Sequence, residues 1–70
     1  MGMDEARRAV EIVAAGPDAV RLAELLPWMG RVRPEDRQEC ALQIYSAAQE
    51  SLDPNRTGRL TRVLERWHVH

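Results

Sequence analysis

Lysine and phenylalanine are absent from this sequence of 70 residues, and cysteine occurs once. The single thiol, Cys40, excludes an internal disulfide, and the Cys/His spacings of a zinc site are missing as well. Two tryptophans and one tyrosine are the only aromatic residues, too few to form a platform on which the bases of a single strand would stack. No apolar run approaches the roughly 20 residues of a membrane span, and no signal or transit peptide is recognisable. The expected setting is therefore the cytoplasm, with no membrane contact. A chain this short forms one domain, residues 1–70, and buries only about 60% of the surface its unfolded form exposes. With no disulfide or metal to reinforce it, self-association is the remaining source of extra stability.

The charge is nearly balanced, ten basic against eleven acidic side chains, which argues against a surface built throughout for nucleic acid or anionic lipid. Its distribution says more. Residues 34–53 set Glu35, Asp36, Glu39, Glu50 and Asp53 against Arg37 alone, whereas residues 54–70 set Arg56, Arg59, Arg62 and Arg66 against Glu65. An acidic stretch followed by a basic one implies either two helices that attract each other or two surfaces for different partners. Every basic residue is arginine, a side chain suited to forked contacts with carboxylates and phosphates. Its use at positions of no functional pattern also fits codon usage in a GC-rich genome.

Hydrophobic periodicity predicts an all-α fold, a small bundle of three to four helices at about residues 4–15, 18–26, 34–52 and 57–69. In the first, Asp4 is a cap candidate and Ala6, Ala9, Val10 and Val13 recur at helical spacing; Gly16 and Pro17 end it. Asp18 can cap the second, whose Ala19, Val20, Leu22, Ala23, Leu25 and Leu26 leave only Arg21 and Glu24 polar, so burial on most sides is expected. Pro27 to Gly30 reads as a turn. The third opens at Pro34, with Glu35 and Asp36 facing the positive end of the helix dipole. Its apolar positions are Cys40, Ala41, Ile44, Tyr45, Ala48 and Leu52, with Leu42 off the face. Asp53-Pro54-Asn55 stops it. The fourth carries Leu60, Val63, Leu64 and Trp67 at the spacing of a core stripe and shows no stop signal. No alternation, repeat or low-complexity tract points elsewhere.

The residues that catalysis needs do not assemble. His68 and His70 stand about 160° apart on a helix, so they cannot share a metal. Cys40 lies on an apolar face and reads as an inert buried thiol. Glu35 and Glu39 have the spacing used by di-metal bundles, but the Glu-x-x-His partner is missing. The glycines form no phosphate-cradling loop. No enzyme activity, metal or cofactor is expected. Two surfaces suit binding instead. One is the strip Arg59, Arg62 and Arg66, about 120° from the apolar stripe of the last helix, a footprint for phosphates or an acidic protein, or else a solvated face paired with the acidic third helix. The other is the apolar turn Leu25, Leu26, Trp28 and Met29, read either as a contact surface or with Trp28 folded back on the core. The segment from Asp53 to Gly58 is too long for the tight turn of a helix-turn-helix.

The order Pro34-Glu35-Asp36-Arg37, Glu50-Ser51-Leu52-Asp53 and Val63-Leu64-Glu65-Arg66-Trp67 resembles a family of small actinobacterial helical proteins, some of which look like antitoxin-type partners encoded beside small toxins. The resemblance covers Pro34 to Trp67 and implies an antitoxin-like role. The leading expectation is a small non-catalytic, protein-binding regulatory module, antitoxin-like and homodimeric. The alternatives are nucleic-acid binding through Arg59, Arg62 and Arg66, and a docking domain or fragment of a larger assembly.

Overall fold

The computed structural model describes residues 2–56 and 58–68. Among them are four α-helices, α1 (Gly2–Ala15), α2 (Ala19–Leu25), α3 (Pro34–Ser51) and α4 (Arg59–His68), with 3₁₀ helices at Pro27–Arg31 and Pro54–Arg56 and no strand. This is the expected all-α bundle. Thr57, Val69 and His70, which the expected fourth helix and histidine pair included, lie outside the described residues.

The stop signals act as their chemistry demands. Gly16 takes a φ of 81°, where a side chain would be strained, and its N–H reaches back to the Ile12 and Val13 carbonyls. The Asp18 carboxylate accepts the Val20 N–H at 2.9 Å and so caps α2. Asp4, the expected cap, falls inside α1, which begins two residues earlier.

α3 is the spine, with α1 and α4 packed extensively against it and α2 less so. Its fully buried residues are Cys40, Ala41, Ile44, Ala47, Ala48 and Ser51. That face is turned by about 40° from the expected one. Ala47 and Ser51 are enclosed, while Leu52 is 48% exposed and Tyr45 is half-buried. The shift follows from covering α3 on two sides, since alanines let α1 and α4 approach closely. On α1 the buried residues are Ala9 and Ile12, with Val13 packed against them, and Val10 falls past the edge of the stripe. α2 buries one stripe only. Leu22 is enclosed and Ala19 and Ala23 pack beside it, but Val20 is 72% exposed, so the expected burial on most sides is corrected. A helix of seven residues touching neighbours along one stripe leaves the rest in water.

The segment after Pro27 is a 3₁₀ helix rather than a simple turn, and α3 holds it in place. The Arg37 guanidinium donates from Nε to the Val32 carbonyl at 3.0 Å and from Nη2 to the Gly30 carbonyl at 2.9 Å. One fork thus satisfies two carbonyls at the end of the 3₁₀ helix.

α4 is fixed to α3 by polar contacts at both ends. Gly58, at a φ of 102°, occupies the cap position but has no side chain to accept a hydrogen bond from the first turn. Ser51 supplies one from α3: its Oγ, buried at 2% exposure, accepts the Leu60 N–H at 3.3 Å. At the far end Trp67 Nε1 donates to Gln43 Oε1 at 2.9 Å. Between them Leu60 is enclosed, and Val63, Leu64 and Trp67 pack on the core as the stripe predicts.

Removing the Ser51 hydroxyl strands a buried N–H. Ser51→Ala is expected to lower the unfolding free energy by about 1–3 kcal/mol, against about 2–5 kcal/mol for the cavity left by Ile44→Ala, both measured by urea titration followed by far-UV circular dichroism. A wild-type midpoint for Ser51→Ala would refute the borrowed cap.

Candidate binding site

The four arginines that follow Pro54 converge at the corner where α3 hands over to α4. Asp53 builds the corner: its Oδ1 accepts the Asn55 N–H and its carbonyl accepts the Arg56 N–H, each at 2.9 Å. The sharp reversal carries Arg56 to the side of α4 that bears Arg59, Arg62 and Arg66. With Glu50, Gly58 and Val63, these arginines line an open groove of about 530 Å³. The expected strip is therefore brought together, and Arg56, Glu50 and Val63 join it. Periodicity could not find Arg56, which lies outside the helix. Glu50 had left a trace only in the acidic character of the preceding stretch.

Positive charge exceeds negative charge in the groove. Arg59 Nε lies 2.9 Å from Glu50 Oε2, and Arg56 Nε lies 3.9 Å from Asp53 Oδ2. Arg62 and Arg66 form no ion pair among the described residues, and both are exposed. Among the described residues, ion pairs between the acidic and basic stretches thus occur only at the corner. Arg59 begins α4, where the helix dipole disfavours a cation, and the Glu50 carboxylate offsets that cost.

Beyond the arginine ridge lies a second depression of about 400 Å³, lined by Leu42, Gln43 and Ser46 of α3 and by Arg59, Val63 and Arg66. Leu42, off the core face as expected, is 49% exposed there.

The apolar turn does not form the expected contact surface. Leu26 and Met29 are core side chains, at 2% and 1% exposure, because the 3₁₀ geometry turns both inward beneath α2. Leu25 is exposed. Trp28 folds back, half-buried, with its ring 5.3 Å from that of His68. No group of three or more His, Cys, Asp or Glu side chains among the described residues could hold a metal, and no described helix is long and apolar enough to cross a membrane. Comparison of the chain with family models, with curated proteins and with solved structures gives no match.

Cys40 is enclosed by the core, and burial pushes its thiol up from 9.0 to about 11. The native state then keeps its proton at a pH where the unfolded chain releases it, so stability falls as pH rises from about 9 to 11. Urea titrations at pH 8 and pH 10.5 should show wild type losing more stability than Cys40→Ala. Equal losses would contradict a buried neutral thiol.

Proposed function

We propose that the chain is a small non-catalytic, protein-binding regulatory module whose corner groove receives an acidic segment of a partner protein. The observation that carries this reading is the Glu50–Arg59 pair: a carboxylate already sits in the groove, 2.9 Å from a guanidinium, while Arg62 and Arg66 beside it pair with no carboxylate among the described residues. Arginine is the side chain best matched to such recognition, since its planar fork takes a carboxylate at two points. The pair is solvent-exposed on the arginine side, so it holds its place weakly and a partner's carboxylate can compete for it. The antitoxin-like part of the proposal rests on the resemblance of Pro34 to Trp67 and on the fit between a compact cationic face and an acidic partner.

Affinity capture from an extract of the source cells, with wild type beside the Arg62→Ala/Arg66→Ala double variant, tests the groove. Wild type is expected to retain an acidic protein that elutes with salt, and the double variant to lose it. Once that protein is in hand, Glu50→Gln should tighten binding about threefold by releasing Arg59, as read by titration calorimetry. Equal retention by wild type and double variant would sink the groove as the site, and nuclease-sensitive retention of nucleic acid would move it to another class of partner.

A further inference from the structure

The groove and the second depression are two sides of one ridge, since Arg59, Val63 and Arg66 line both. On the groove side the ridge meets Glu50 and Arg62. On the other it meets Leu42, a leucine held half in water on α3, so that Leu42 and Val63 make an apolar seat bordered by guanidiniums. Arginines 59, 62 and 66 run along two turns of α4, about 10 Å. Carboxylates three and four residues apart on an opposing helix repeat at the same interval, and such a helix carries an aliphatic residue on the neighbouring stripe.

We propose that the partner segment is an acidic amphipathic helix that sets one aliphatic side chain between Leu42 and Val63 and aligns its carboxylates with Arg62 and Arg66. This rests on the protein-binding reading of the groove and names the chemistry of its partner. Charge complementarity selects an acidic segment, and the apolar seat selects among acidic segments. A nucleic-acid backbone meets the guanidiniums equally well but has no aliphatic group for the seat, and the Glu50 carboxylate repels its phosphates. The indoles offer no stacking platform here: Trp67 is tied to Gln43, and Trp28 lies against His68.

The test uses the full chain and four fluorescent probes followed by anisotropy at low and moderate salt. They are a helix-forming peptide with glutamates at i, i+3 and i+7 and one leucine on the adjoining stripe, the same peptide with serine for leucine, polyglutamate of equal charge, and a 20-base-pair DNA duplex. The leucine peptide is expected to bind best, about tenfold tighter than the serine peptide. Leu42→Gln, a change at an exposed position, should erase that preference, whereas Arg62→Ala should weaken both peptides and leave the preference in place. Equal binding of the leucine peptide, serine peptide and polyglutamate, with Arg62→Ala still weakening all three, would overturn the apolar seat and leave the acidic-partner reading standing. Tightest binding of the duplex, or no binding of any probe at low salt, would overturn both.

Discussion

The hydrogen bond from the Leu60 N–H to the Ser51 hydroxyl decides where α4 can begin. A helix opening leaves several N–H groups without partners, and a side chain at the cap position ordinarily accepts one of them. Gly58 has the backbone freedom for the reversal but no side chain to accept with, and its carbonyl takes the Arg62 N–H. For the Leu60 N–H the acceptor is Ser51 at the last turn of α3, inside the core. A local need of α4 thereby becomes a long-range constraint. The Leu60 N–H meets the Ser51 hydroxyl only when α4 is docked against α3, and docking there is what stacks Leu60 on the core and turns the arginines outward.

The remaining packing follows from α3 being covered on two flanks. Alanines at 41, 47 and 48 bring the neighbouring helices close, and Ile44 fills the space between them. α2, the third helix packed on this spine, is short and keeps most of its circumference in water. The chain passes from α2 to α3 through a 3₁₀ helix, and Arg37 donates to the Gly30 and Val32 carbonyls at its end. The 3₁₀ helix after α2 and the start of α4 are thus both completed from α3, one by a guanidinium and one by a hydroxyl.

The helices were legible in the sequence because their signals are local. Gly16, Asp18 and Pro34 act on their immediate neighbours, and the stripe of α4 has only one face it can bury. What escaped the sequence depends on contacts between distant residues. On α3, alanine and serine were passed over for Tyr45 and Leu52 because size and apolarity favour the larger side chains, whereas a spine pressed from two sides encloses the smaller ones. On α1, Val10 and Ile12 stand about 160° apart by helical rotation, and which of them is covered depends on where α3 lies. Leu26 and Met29 looked available because a turn was expected, and the 3₁₀ path put them inside. The candidate site was half visible: three arginines share a stripe of α4, but Arg56 arrives through a backbone reversal and Leu42 through the crossing of two helices.

The groove and the stability of the fold draw on the same contacts. The corner that gathers Arg56, Arg59 and Glu50 also sets the Ser51–Leu60 bond, one residue further along each helix. A partner spanning Leu42 on α3 and the arginines on α4 would bridge the two helices that the polar clamps already join, and would bind the docked arrangement in preference to the open one. Anything that binds only the folded state stabilises it in proportion to the logarithm of ligand concentration over Kd. In a domain this small, with one cysteine and no disulfide, that coupling is large relative to its own reserve. With such a partner, occupancy of the groove and integrity of the α3–α4 pair would rise and fall together, and the weak, exposed Glu50–Arg59 pair would give way to the stronger anion.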